Sequence, residues 1–240
     1  VGAPGFNPNS GTLFDATGTS VTISGLTPET DYELYARRKC LDGTYGPWSE
    51  FVLKFSTQCE PLVVDFNNPF FEGFENFTVD EYVFGCYQQV AHTSESGFFM
   101  AKTGSYNDDG IITLTPYEGS MFAVLPFNND TWLFRPFYLK ANSNYEVTVM
   151  ARQDCDFGMN LNLAYFVEPD ESTLIDTMVA QELVSEWREY KGWINAPKDG
   201  VYYIGINITT WGISVQQYNS VLDNFSVKEI VIENKVITGL

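Results

Sequence analysis

Along most of this chain hydrophobic and polar residues alternate one by one, in short runs that end at Gly, Pro, Asn or Asp. A two-residue period puts successive side chains on opposite sides of an extended backbone, so each run predicts a strand with one buried face. Near the start, residues 21–23 run into the turn Ser24-Gly25. Residues 31–38 alternate next, with Tyr32, Leu34 and Ala36 opposed to Glu33, Tyr35 and Arg37, and 51–55 repeat the pattern after the turn-rich stretch from Asp42 to Pro47. Further strands are predicted at 82–84, 98–102, 111–115, 121–125, 132–139, 145–151, 160–166, 187–194, 201–208 and 221–229. Only 172–186 has a helix-compatible length, and a loop followed by a strand fits it equally. The fold class is therefore all-β, and strands in such number call for packed sheets.

Composition narrows the picture. With 240 residues, 44% hydrophobic and 18% charged, the chain is globular and long enough for one large domain or two ordinary ones. An aromatic fraction of 16% suits β-sandwich cores and stacking surfaces. The net charge of −18 repels phosphate, so nucleic acid and anionic membrane surfaces are disfavoured partners. The same carboxylates keep a secreted protein soluble and are the ligands that calcium takes. No apolar stretch is long enough to span a bilayer as a helix, and no membrane insertion is expected.

Two resemblances follow from particular residues. Leu26-Thr27-Pro28-Glu29-Thr30-Asp31-Tyr32 resembles a tyrosine corner, in which a phenol hydroxyl ties back to backbone just upstream. With Tyr32 to Arg37, Trp48-Ser49 and Phe55-Ser56-Thr57, residues 1–59 resemble the C-terminal part of a bacterial fibronectin type III domain. Such a domain needs about 100 residues, so its front strands are expected elsewhere, in a longer parent or a partner segment.

The second resemblance lies in three blocks: Phe71-Glu72-Gly73-Phe74-Glu75-Asn76, then Asp130 to Pro136, then Gly200 to Ile206 with Leu222 to Val227. Residues 60–230 are in this respect similar to cleaved-adhesin and MAM-like jelly-roll domains, and 231–240 form a tail or linker. The tryptophan that follows the family's opening block has no obvious counterpart, as Val83-Phe84-Gly85-Cys86 stands there instead. The resemblance implies a secreted or cell-surface bacterial protein whose partner is a glycan or a host or environmental protein. It also implies association with other domains of the same parent chain. A purely structural spacer role is the alternative.

Candidate chemistry is sparse. The resemblance places Glu75 on a first strand and Asp223 on a last strand, neighbours in a jelly roll, where both could bind a structural calcium. Two carboxylates underfill a shell of about six to eight oxygens, and each could instead cap a strand end. In a regular strand Asn224 points away from Asp223. Trp187, Trp193, Trp211 and Tyr218 fall at expected strand ends and loops and are the candidates for stacking on a sugar, against the ordinary fate of an aromatic in a core. Alternation sets Trp187, Glu189, Lys191 and Trp193 on one outward face.

Cys40 and Cys59 would stand at opposite ends of a hairpin, beyond disulfide reach. Cys86 and Cys155 either pair or remain two buried thiols. The single histidine, His92, lies in no nucleophile or zinc-protease motif, and no pair of carboxylates is singled out for a glycosidase, so no catalytic residue is assigned.

Overall fold

A computed structural model describes residues 1–16, 18, 20–28, 30–57, 59–79, 86–91, 97–104, 106–107, 110–111, 113–126, 130–154, 158–210 and 219–231. The chain divides into two compact units, Val1–Glu60 and Pro61–Leu240.

In the first unit β1 (Asp31–Leu34) pairs antiparallel with β4 (Leu53–Ser56), and β2 (Arg37–Lys39) with β3 (Tyr45–Trp48). The run at 31–38 is thus two strands serving two ladders, and 21–23 belongs to none. The tyrosine-corner hydrogen bond is present: Thr27 N donates to the Tyr32 hydroxyl over 2.9 Å. Arg37 lies 4.0 Å from the Tyr45 ring centre and 4.1 Å from that of Trp48, whose indole N–H donates to Asn9 Oδ1. Alternation assigned Glu33 to the polar side, yet it is buried. Its carboxylate accepts from Gly5 N and pairs with Lys54, which compensates for the lost water.

The second unit is a two-sheet sandwich. Its strands are β5 (Leu62–Val63), β6 (Phe70–Glu72), β7 (Gln88–Ala91), β8 (Phe99–Ala101), β9 (Tyr106–Asn107), β10 (Gly110–Ile111), β11 (Phe122–Pro126), β12 (Thr131–Leu139), β13 (Asn144–Gln153), β14 (Met159–Phe166), β15 (Leu174–Glu182), β16 (Arg188–Asn195), β17 (Gly200–Thr210) and β18 (Asn219–Ile230). One sheet runs β16-β13-β18-β11-β8, with β6 also on β18. The other runs β15-β14-β17-β12-β5, with β7 also on β12. The stretch 172–186 is no helix: a short 3-10 turn at Glu171–Thr173, capped by Asp170, leads into edge strand β15. The expected strand at 82–84 lies outside the described residues.

Strict alternation fills the space between the sheets. Tyr145, Val147, Val149 and Ala151 of β13 face Leu161 and Leu163 of β14 and Ile204, Ile206 and Ile208 of β17 in one core. At about 25 cal/mol per Å² this apolar burial is the main term holding the sheets together. Phe70, Phe137 and Phe225 join the sheets through ring contacts of 5.1–6.2 Å, so Phe70 belongs to the fold rather than to a linker. Arg135 shares the inward side of β12 and is held between the rings of Phe70 and Tyr87, each 4.7 Å away.

Candidate functional site

The two carboxylates expected to converge grip one loop. Asp223 Oδ2 accepts from Tyr117 N (2.9 Å) and Glu118 N (3.1 Å), and its Oδ1 from Asn224 N (2.8 Å). Glu75 Oε1 accepts from Ser120 N and Met121 N, both at 2.9 Å, and Oε2 from the Ser120 hydroxyl. Residues 117–121 therefore hand four backbone N–H groups to two side chains. Gly119 sits at φ +68°, and a Cβ there would run into the Glu75 carboxylate.

Local backbone explains the geometry. Thr148 pairs with Ser226 while Met150 pairs with Asp223, so β18 carries one extra residue at this point. Such a bulge re-aims side chains, and Asn224 takes it up at φ +47°. Asn224 is consequently not in regular strand geometry. Its amide donates to Glu118 Oε2, on the same loop that Asp223 holds. Asp223 is fully buried, and its carboxyl is pushed up to about 6, first by burial and also by the Glu75 charge, against its backbone hydrogen bonds. The Glu75 carboxyl is lowered overall: burial pushes it up, but the hydrogen bonds from Met121 and Ser120 outweigh that.

An ionised carboxylate offers about four lone-pair sites, and each of these two already accepts three hydrogen bonds. One site is left on each carboxylate. A hard cation takes about six to eight oxygens, so two carboxylates alone would underfill its shell. Among the described residues no group of three or more His, Cys, Asp or Glu is poised around a metal.

The aromatic candidates separate. Trp187 packs behind the loop that covers the outer face of the β18 sheet, its indole N–H donating to Thr115 O over 3.1 Å and its ring meeting Tyr117 edge-on. Trp193, on edge strand β16, is 59% exposed. Trp211 and Tyr218 lie outside the described residues, as does His92.

Around Trp193 the outward side of the sheet is polar. Its neighbour across β13 is Glu146, whose neighbour on β18 is Lys228. Lys228 Nζ is 2.7 Å from Glu146 Oε1 and Lys191 Nζ is 3.4 Å from Oε2, while Lys191 also reaches Glu189. Lys228, chiefly, and then Lys191 hold the Glu146 carboxyl below its usual range. The next row along runs Lys191, Thr148, Ser226, Phe71, with the two hydroxyls 2.7 Å apart and Phe71 60% exposed. Nothing in the sequence alternation marked Phe71, because its neighbour Phe70 is equally apolar and only the register of β6 on β18 decides which of them faces out.

The opposite outer face is different. Trp132, Phe134, Phe166 and Tyr203 pack there at ring distances of 5.0–5.5 Å for the first three, and all four are buried. Gly205 leaves room for the Trp132 and Phe134 rings, and Trp132 donates its indole N–H to Glu171. Asn207-Ile208-Thr209 has the form of an N-glycosylation acceptor, but Asn207 is 1% exposed with both ends of its amide bonded, to Asn162 and Asp130, so it cannot accept a glycan in the folded protein.

Cys59 and Cys86 each take part in a disulfide, Cys40 is a free thiol, and Cys155 lies outside the described residues. Nothing in the spacing marks the engagement of Cys59, which a hairpin sets out of reach of Cys40.

Solved structures define the class of fold. The chain is similar to the K2 cleaved adhesin domain of Lys-gingipain, with 14% identity over 69% of this chain and 99% of that one, at a TM-score of 0.52. The K1 domain of Lys-gingipain from Porphyromonas gingivalis follows at 12% identity, 68% and 99% coverage and a TM-score of 0.48. A carbohydrate-binding module solved with β-1,4-galactotriose follows at 13%, 66% and 94%, and 0.45. No family model matches the sequence, and no curated protein does. The fold is an adhesin-type jelly roll, reached by a sequence far from those compared.

Proposed function

We propose that the chain is a non-catalytic, extracellular binding or adhesion segment of a larger bacterial surface or secreted protein, taking a glycan or a protein as its ligand. The first unit is read as the C-terminal part of a fibronectin type III domain, on the strength of the Tyr32 corner. The observation that carries the functional reading is the jelly-roll unit's open outer face, which keeps Trp193 in water although sandwich aromatics are ordinarily core. Disulfide-bonded cysteines support an oxidising compartment. The test is an array carrying both glycans and extracellular glycoproteins, probed with the full chain. Saturable binding to one class of feature is expected, and a blank array at high micromolar protein would favour the spacer role.

A structural calcium held by Glu75 and Asp223 belongs to the same proposal. A buried carboxylate with a like-charged neighbour gains from a cation, and both carboxylates keep an oxygen site for one. Calcium at a hundredfold above its Kd is expected to stabilise the unit by about 2.7 kcal/mol. Differential scanning calorimetry in calcium and in chelator measures this, with Glu75→Gln losing most of the shift. Superimposable melts would remove the metal from the proposal.

A further inference from the structure

We infer that the outward face of β16, β13, β18 and β6 is a binding site for a neutral oligosaccharide lying across the strands, with Trp193 and Phe71 as its two stacking platforms. The inference rests on the binding-module reading above and assigns its site and ligand class.

Geometry comes first. Trp193 and Phe71 stand on the two outer strands of this four-strand stretch, one row apart in register. With strands about 4.8 Å apart, the rings are separated by about 15 Å, the reach of a short oligosaccharide rather than of one sugar. Both rings are more than half exposed. The Phe71 ring lies beside Gly73, where an added Cβ would come within 3.2 Å of the ring edge, so a glycine there leaves the ring its place. Among the described residues the Trp193 indole N–H has no acceptor, which leaves it free to donate to a ligand oxygen.

Chemistry between the rings matches hydroxyl groups. The Thr148–Ser226 pair shares one hydrogen bond; Thr148 is buried, and the half-buried Ser226 keeps hydrogen-bonding capacity for a ligand. Lys191 and Lys228 flank Glu146 and keep further N–H donors beyond their ion pairs. These groups are tied to one another before any ligand arrives, so little ordering cost remains to be met on binding.

Charge selects the ligand class. The chain carries −18, yet Lys191 and Lys228 balance Glu146 and Glu189 on this face. A locally neutral strip on an acidic protein suits an uncharged, hydroxyl-rich ligand, while the surrounding field repels an acidic polysaccharide at range. The other sheet's outer aromatics offer no rival platform, as they are already buried.

Affinity gel electrophoresis of the full chain tests the inference, with gels containing xylan, mannan, β-glucan or galactan, and hyaluronate as the acidic comparison. The expected result is retardation in at least one neutral gel. Trp193→Ala and Phe71→Ala should each weaken it at least about tenfold, as interfacial aromatic anchors do. Exposed Leu174→Ser on β15 should leave it unchanged. Equal unfolding midpoints would show that the variants fold. Retardation that both aromatic variants retain would overturn this site while leaving the binding module standing. Retardation by hyaluronate alone would overturn the neutral ligand class. A wild-type chain that no gel retards would overturn this inference, and the array result then decides whether the binding-module reading goes with it.

Discussion

Asp223→Ala is expected to lower the unfolding free energy of the jelly-roll unit by about 3 kcal/mol in metal-free buffer at neutral pH. The substitution leaves Tyr117 N and Glu118 N, both held by one oxygen of the buried Asp223 carboxylate, without that acceptor and removes the loop's anchor on β18. Each buried donor left unsatisfied costs about 1–3 kcal/mol. Part of this is offset because the wild type bears the cost of an ionised carboxylate in a buried place.

That offset gives the prediction a pH signature. Burial, reinforced by Glu75, raises the folded-state carboxyl to about 6, above its unfolded value near 3.9. The folded protein then binds the proton more tightly than the unfolded chain does. The group's contribution to stability is greatest below about pH 4, declines as pH rises through 6, and is least favourable above that. Over the whole window the change is about 2 kcal/mol after allowance for screening by the polar groups around it. The difference between wild type and Asp223→Ala should therefore grow by about 1 kcal/mol from pH 7 to pH 5. Urea unfolding of both proteins at the two pH values measures it. A difference that shrinks in acid, as it does for an ordinary paired carboxylate, would contradict the burial of Asp223.

How much of this was legible in the sequence depends on strand length and on register. The long strands β12, β13, β14, β16, β17 and β18 were predicted because a strand-like run of seven or more residues leaves little room for a competing reading. The two- to four-residue strands β5, β6 and β7 were not, since pairing with a neighbour defines them and periodicity cannot be read over so few residues. β15 was ambiguous because it is an edge strand with mostly exposed residues and no buried stripe. Glu75 and Asp223 were singled out through a family resemblance, but nothing local announced that both would hold residues 117–121. The bulge at Asn224 depends on which residues of β13 lie opposite, and one chain segment carries no record of that. The exposed aromatics show the same limit. Trp187 and Trp193 read as equivalent by alternation, and only the loop that supplies Thr115 and Tyr117 separates a packed ring from an open one.

Phe225→Ala provides the second large effect and tests the register that the proposed ligand face needs. Phe225 is 1% exposed and meets Phe70 at 5.4 Å and Phe137 at 6.2 Å, so its removal opens a cavity where the two sheets touch. Truncating a buried phenylalanine costs about 3–5 kcal/mol, from lost transfer energy and from a void its neighbours cannot fill. In a unit of this size that lowers the melting temperature by about 10 °C. Phe71 is the internal control, because it pairs with Ser226, one step along β18 from Phe225, and therefore stands on the other side of the sheet. Its truncation should cost no more than about 0.5 kcal/mol, as at other exposed positions. Calorimetry and denaturant unfolding of the two variants separate the cases. If Phe71→Ala proves as costly as Phe225→Ala, β6 sits one residue out of the register described, its outward ring is Phe70, and the pair of platforms across the sheet is lost with it.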